Sequence, residues 1–154
     1  MAAYKILLPY NFTPWDRKAL DFVIRTFSPH RDVEVALFNA FMPLPEVEAA
    51  RSTVMEKIQS NLSYLNIRIN EMEEALEAAS RGLVQAGFAP ERVRTVFNPR
   101  KKDVATEIVR QAEAQGSDII VLSHSSGKVA RFFTGSTYAQ VVSSVKDATV
   151  CIVS

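Results

Sequence analysis

The sequence has little of the residues that build disulfide or metal frameworks. Among 154 residues there are one cysteine and two histidines. A lone Cys151 cannot form an internal disulfide, and His30 and His124 lack the spacing of a metal site. Charge of one sign is also scarce, because 18 basic and 17 acidic side chains leave a net charge of +1. So small a net charge argues against a nucleic-acid-binding surface over the whole domain. We therefore expect no metal and no nucleic-acid partner.

Long apolar runs are missing as well. No uninterrupted run approaches the roughly 18 residues that a membrane-spanning helix needs, and residues 1–6 lack the pattern of a signal peptide. We therefore expect no membrane association and a reduced, cytoplasmic location. The composition, 47% hydrophobic and 23% charged, is that of an ordinary globular protein. The length predicts a single domain over residues 1–154.

Apolar runs and helical periodicities alternate along the chain. The first run, Ile6-Leu7-Leu8, is closed by Pro9 and predicts a strand. Thr13-Pro14 then predicts the start of a helix, with Asp16 in its first turn. Further strands are predicted at 33–41, 93–97, 119–122 and 149–153, and further helices at 58–83, 103–115 and about 136–145. Such alternation implies parallel pairing with right-handed crossovers. The predicted fold is a three-layer α/β sandwich, with a five-stranded parallel sheet and two helices on each face.

The second predicted helix carries an unusually regular apolar stripe. Its spacing of four and three residues continues without a slip over eight positions: Ile58, Leu62, Leu65, Ile69, Met72, Leu76, Ala79 and Leu83. Two interpretations stay open, a face that packs on the sheet and a coiled-coil seam for a partner helix. We favour packing on the sheet. The proline-rich stretch at 42–45 leaves room for a protruding segment before Ser52.

Two loops hold most of the small hydrogen-bonding residues that follow strands. One is 9–13, after the first strand, and the other is 123–128, after the fourth. In open parallel sheets, ligands bind beyond the carboxyl ends of the strands where the strand order reverses. Gly135-Ser136-Thr137 then begins a helix, whose free backbone N–H groups favour an anion, and Lys128 or Arg131 could add charge. The alternative is that Ser136 only caps its own helix.

Ser123 and His124 suggest a hydrolase, but the pattern argues against one. Adjacent side chains on an extended segment point apart, and no G-x-S-x-G motif is present. We therefore predict no catalytic residues.

Several segments together resemble the universal stress protein family. They are ILLPYNFT at 6–13, DIIVLSH at 118–124, GST at 135–137 and the terminal ATVCIV. The resemblance covers essentially the whole chain and implies strand order 3-2-1-4-5, which brings the first and fourth loops together. It implies homodimers, often formed through the last strand, here Thr149–Val153. It also implies an adenine nucleotide in many members, ATP or AMP, with Mg²⁺ if the nucleotide is ATP.

The chain departs from the family's nucleotide-binding pattern. That pattern has an Asp after the first strand and G-x-x-G-x9-G-[S/T] after the fourth. Here Asn11 stands at the acidic position, and Leu122 and Ser125 fall at the first two glycines, so that only Gly135-Ser136 matches. A residue with a side chain forced into a glycine conformation costs about 1–2 kcal/mol, which weakens binding without abolishing it. Asn11 can still accept a hydrogen bond from a ribose hydroxyl.

The sequence therefore predicts a regulatory stress-response protein that binds an adenine nucleotide and is not an enzyme, with weak ATP hydrolysis left open. The alternative is a nucleotide-free member of the family that acts by dimerisation and by contact with a regulatory protein partner. The predicted nucleotide-binding residues are Pro9, Tyr10, Asn11, Phe38 and Asn39 around the adenosine, Leu122 and Ser123 at the end of the fourth strand, and Ser125, Ser126, Gly127, Gly135, Ser136 and Thr137 around the phosphates.

Overall fold

A computed structural model describes residues 4–44, 53–124 and 135–154 of the chain. Strands and helices alternate over these residues, and a 3-10 turn at Pro90–Arg92 lies between the second helix and the third strand. The elements are β1 (Tyr4–Pro9), α1 (Pro14–Phe27), β2 (Val33–Phe41), α2 (Thr53–Gln85), β3 (Val93–Pro99), α3 (Val104–Gln115), β4 (Ile119–Ser123), α4 (Gly135–Ser144) and β5 (Thr149–Val153). No helix in this described part is both long and apolar enough to cross a membrane.

The five strands form one parallel sheet in the order β3-β2-β1-β4-β5. The predicted fold class and strand order are therefore confirmed. Most boundaries differ from the predicted ones by two residues at most, but α2 begins at Thr53, five residues before the predicted start at Ile58. Strand β3 continues two residues past its predicted end, to Pro99, because Asn98 and Pro99 still lie opposite Ala40 and Phe41 of β2.

Alternate residues of the central strands build two separate cores. Ile6 and Leu8 of β1 point to one face, where they join residues of α1 and α2. Leu7 points to the other face and joins residues of α3 and α4. All three are fully buried. Because successive side chains of a strand point to opposite faces, an unbroken apolar run is what a sheet covered on both faces requires.

The start of α1 is fixed by a capping box. The Thr13 hydroxyl accepts a hydrogen bond from the backbone N–H of Asp16, and the Asp16 carboxylate accepts one from the backbone N–H of Thr13. Two donors that a helix start leaves unpaired are thereby satisfied. The sequence predicted the helix start at Thr13-Pro14, and the capping box holds the loop after β1 in place.

The stripe on α2 is divided between two environments. Leu76 and Leu83 are fully buried in the core below the sheet, and Ala79 packs against the same core. Towards the amino terminus the stripe becomes half-buried, and Leu65 is 42% exposed. The prediction that the stripe packs on the sheet is correct for its carboxyl-terminal part and wrong for the rest, because α2 is much longer than the strands that it packs on.

A matched pair of glycines tests this backbone. Gly116 ends α3 with φ +65°, whereas Gly82 lies inside α2, where an added Cβ would meet no described atom within 4 Å. We expect Gly116→Ala to lower the free energy of unfolding by about 1–2 kcal/mol, since a Cβ disfavours left-handed backbone. Gly82→Ala should raise it by about 0.5–1 kcal/mol. Denaturant unfolding measures both, and equal effects would contradict the described backbone.

Candidate functional site

The pairing of the two central strands stops before their carboxyl ends. β1 pairs with β2 over six positions, from Tyr4 to Pro9, but with β4 over only two, Ile6 with Ile119 and Leu7 with Ile120. Both strands continue past the last pair, so a crevice opens between them. It lies at the point where the strand order reverses, which is where open parallel sheets bind ligands.

Pro9 explains why this pairing stops. Backbone groups of β1 point alternately to its two neighbours. The N–H groups of Tyr4 and Tyr10 donate towards β2, to Asp32 and Phe38, while the Lys5 carbonyl accepts from Asp118 beside β4. By this alternation the nitrogen of residue 9 faces β4, and proline has no hydrogen to donate there. The ladder between the two strands therefore ends at Leu7, two residues before Pro9.

A cavity of about 400 Å³ occupies the crevice. Its walls come from the ends of β1, β2 and β4 and from the first turns of three helices. The lining is largely apolar on the side of α3, where Phe38, Ala40, Val104, Ile108 and Leu122 meet. The remaining lining residues are Pro9, Tyr10, Asn11, Thr13, Trp15, Asp16, Asn39, Arg100, Ser123, Thr137 and Tyr138. An apolar cavity with a few polar groups is typical of a small-molecule site.

Asn39 is a deeply buried polar residue of the cavity lining, with 5% of its surface exposed. Its Nδ2 donates to the Tyr10 carbonyl at 2.8 Å, and Asn11 Oδ1 lies 3.5 Å from the same nitrogen. The Tyr10 carbonyl only accepts, so it fixes which way the amide faces. The Asn39 Oδ1 is buried without a hydrogen-bond partner among the described residues. Since an unpaired buried acceptor is costly, Oδ1 marks a place where a donor is wanted.

A second polar group ties α1 to β4 across the crevice. Asp16 is buried, its Oδ1 accepts a hydrogen bond from Ser123 Oγ at 2.6 Å, and its Oδ2 accepts one from Thr13 Oγ1 at 2.6 Å. His124 turns away, with its ring edge-to-face with Tyr138 at 5.0 Å between centroids. Ser123 and His124 therefore point apart as predicted. The Asp16 carboxylate is occupied by these protein hydroxyls.

Arg100 places a positive charge on the cavity wall. Its Nε and Nη2 make two long hydrogen bonds to the Ala40 carbonyl, at 3.4 and 3.3 Å, and its backbone N–H donates to Phe41. A guanidinium has five N–H donors, so others stay free for a ligand. The sequence signal for this residue is the basic run at 100–102 after the third strand.

Tyr10 is a buried aromatic residue of the cavity lining. It is 8% exposed, and its ring meets Phe12 edge-to-face at 5.3 Å. Burial raises the pKa of the Tyr10 phenol above its usual value, with the Asp16 carboxylate adding to the rise and the Arg17 guanidinium opposing it. The phenol is therefore neutral at physiological pH.

Within residues 4–44, 53–124 and 135–154, no three His, Cys, Asp or Glu side chains are grouped as a metal site would require.

The structure brings eight of the predicted site residues together around this cavity: Pro9, Tyr10, Asn11, Phe38, Asn39, Leu122, Ser123 and Thr137. Gly135 and Ser136 are the first two residues of α4. Ser125, Ser126 and Gly127 lie outside the described residues. The prediction missed Arg100, Asp16 and the α3 residues Val104 and Ile108, which reach the cavity through tertiary packing.

Comparisons with known proteins agree on one family. A model of the universal stress protein family matches residues 3–152. No curated protein matches the chain. Among solved structures, a universal stress protein from Archaeoglobus fulgidus is 17% identical and has a TM-score of 0.67, with 100% of this chain and 96% of that one covered.

Two further structures carry nucleotides. The universal stress protein from Archaeoglobus fulgidus in complex with dAMP is 16% identical, with both chains fully covered and a TM-score of 0.63. A universal stress protein family protein from Arabidopsis thaliana with AMP bound is 12% identical, with 97% of this chain and 90% of that one covered and a TM-score of 0.62. At these identities the likeness shows the fold.

The role of Pro9 can be tested directly. We expect Pro9→Ala to supply the missing N–H, which would donate to β4 and extend the ladder by one hydrogen bond. In hydrogen-exchange measurements the new amide at residue 9 should be protected to the same extent as that of Leu7. If this amide exchanges as fast as an exposed loop amide, proline is not what ends the pairing.

Proposed function

The chain belongs to the universal stress protein family, and from this premise we propose that it binds an adenine nucleotide in the crevice cavity and acts in regulation rather than catalysis. The observation that carries the proposal is the buried Asn39 amide beside the cavity, whose Oδ1 has no donor among the described residues. Structures of family members with dAMP, AMP and cAMP bound support the choice of ligand class.

The base is the part of the nucleotide that fits the apolar side. Phe38, Ala40, Val104 and Ile108 offer a surface on which a flat ring system can bury its faces. The adenine 6-amino group is a donor, which is what Asn39 Oδ1 needs. This oxygen has almost no exposed surface, so the base reaches it only with a local opening of the wall. Hypoxanthine, the base of IMP, carries an oxygen at the same ring position. That oxygen and Asn39 Oδ1 would then be two acceptors facing each other.

The phosphate is assigned to the opposite, polar side. Thr137 lies in the first turn of α4, where backbone N–H groups and the helix dipole favour an anion. The Arg100 guanidinium adds a positive charge to the cavity lining, and charge-assisted hydrogen bonds are stronger than neutral ones. These groups suffice for AMP. Mg²⁺ enters the proposal only with ATP, whose further phosphates would carry it.

The polar residues near the cavity favour a regulatory role. Ser123 Oγ already donates to Asp16, and the His124 ring packs on Tyr138, so these two residues do not form a nucleophile with its base. Asp16 itself is occupied by Thr13 and Ser123. A nucleotide held here would act by changing the protein's stability or its contacts.

A homodimer through β5 is part of the proposal. β5 lies at the edge of the sheet, and Ile152 on it is 44% exposed. The Thr149 N–H donates to Asp118 on the β4 side, so by alternation the N–H groups of Val150 and Ile152 point outwards. An edge strand with free backbone groups and an exposed apolar residue is a template for pairing with another strand.

Asn39 gives the sharpest test of the ligand. We expect wild-type protein to bind AMP at least about tenfold more tightly than IMP, since a lost hydrogen bond costs about 1.4 kcal/mol. Asn39→Ala should bind AMP about tenfold more weakly and lose the preference. Titration calorimetry measures both ligands. Asn98→Ala, at an exposed asparagine outside the cavity lining, is the matched control.

Two outcomes would contradict the site. If wild-type protein binds no adenine nucleotide, the nucleotide-free alternative holds. If Asn39→Ala binds AMP and IMP as the wild type does, the base lies elsewhere.

The dimer is tested at Ile152. We expect Ile152→Pro to lose the pairing through β5 and so to have a lower sedimentation mass than the wild type, because proline removes an outward N–H while the inward groups that pair with β4 remain. Ile152→Thr keeps both the N–H and β-branching and should keep the wild-type mass. A proline variant with the wild-type mass and native circular dichroism would reject pairing through β5.

A further inference from the structure

The helix α2 extends far beyond the sheet that it packs on. Its 33 residues span about 50 Å, whereas the six residues of β1 span about 20 Å. Arg68, Met72 and Ala75 lie beside Asn11 and Phe12, which follow the carboxyl end of β1. The part of α2 before Arg68 therefore stands beyond the edge of the sheet at which the crevice opens.

This protruding part has an unusual surface for an exposed helix. Glu56 and Lys57 lie near its start, but the ten residues that follow, 58–67, include no charged side chain, although 23% of the whole chain is charged. Tyr64, Leu65 and Ile67 are 61%, 42% and 55% exposed. A helix that presents large apolar groups on more than one side without charges is typical of one that is covered by a partner.

The stripe on this part reads the same in both directions. The stripe here consists of Ile58, Leu62, Leu65 and Ile69, spaced four, three and four residues apart. Both the spacing and the residue order Ile-Leu-Leu-Ile are therefore the same in either chain direction. A two-fold axis needs a surface that is complementary to itself. We propose that α2 pairs with the α2 of a second copy of this chain in an antiparallel interface, in which Ile58 faces Ile69 and Leu62 faces Leu65 of the other copy.

The continuation of the stripe decides between the two orientations. Leu76 and Leu83, on the same stripe, already pack on the chain's own core. In a parallel pair the second helix would run on into the space that this sheet occupies. In an antiparallel pair each helix ends above the other copy's sheet, so the protruding parts overlap and both sheets are accommodated.

The charges on α2 favour the same orientation. Glu73 and Glu74 follow the stripe's last mirrored residue, Ile69. In the antiparallel register they lie beside the amino-terminal end of the other helix, where the dipole is positive. In a parallel pair they would lie beside the same acidic residues of the other copy. At the flanks Arg68 meets Asn61, and Gln59 meets Asn66, so no like charges face each other across the interface.

The interface is tested by two substitutions on neighbouring positions of the protruding helix. Leu65→Glu buries a charge against Leu62 of the other copy, whereas Tyr64→Glu places the same charge one residue away, off the stripe. We make each change in the wild-type chain and in Ile152→Pro, so that pairing through β5 is separated from pairing through α2. Sedimentation over a range of protein concentrations measures self-association.

We expect Ile152→Pro to dimerise reversibly, Leu65→Glu to weaken this association at least a hundredfold, and Tyr64→Glu to change it little. The proposal is overturned if Leu65→Glu leaves self-association unchanged in both backgrounds. It is also overturned if Tyr64→Glu weakens it as much as Leu65→Glu does. Circular dichroism confirms that each variant is folded, and the exposed position of both residues outside the core favours this.

Orientation is tested by cross-linking without disturbing the stripe. Asn61→Cys and Arg68→Cys are prepared as separate proteins, each with Cys151→Ser, and treated with a short bis-maleimide alone and as a mixture. The antiparallel register brings residue 61 of one copy beside residue 68 of the other. We expect cross-linked dimers mainly in the mixture. Cross-linking that is as strong in either variant alone, or absent from the mixture, overturns the proposed pairing.

Discussion

The missing N–H of Pro9 is the constraint on which the crevice depends. At the amino end of the β1–β4 pair, Lys5 and Asp118 are joined by two hydrogen bonds, one to the Asp118 carboxylate and one from its backbone N–H. At the other end the pairing stops before Pro9, and the cavity lies where both strands continue without pairing. Because the strand order reverses between these strands, their loops leave on opposite faces, and the cavity lies between them.

The polar groups around the cavity divide into those that hold the fold and those that remain for a ligand. Asp16 joins Thr13 on α1 to Ser123 on β4 and so fixes the width of the crevice. Asn39 Oδ1 and the free donors of Arg100 are left over beside the cavity. This division is what a bound adenine nucleotide requires, and it needs no acidic residue at position 11.

The sequence predicts most of the fold because local signals act there. Unbroken apolar strands, the Thr13 cap and the glycine after α3 each specify a boundary through contacts between near neighbours in sequence. The site depends on contacts between distant residues. The sequence pointed to Pro9 and Asn39, but only the pairing of β1 with both neighbours shows what Pro9 interrupts and what Asn39 lacks. Arg100 and Ile108 reach the cavity through the packing of α3, and the division of the α2 stripe depends on where the sheet ends.

The central claim, that the crevice binds an adenine nucleotide, is tested most directly by thermal unfolding with and without millimolar AMP, and with ATP and Mg²⁺. Ligand at a hundred times its dissociation constant stabilises the folded state by about 2.7 kcal/mol. In a domain of this size the account predicts a rise in the unfolding midpoint of roughly 5–10 °C. An unchanged midpoint with every adenine nucleotide would contradict it and would favour a family member that acts through protein contacts alone.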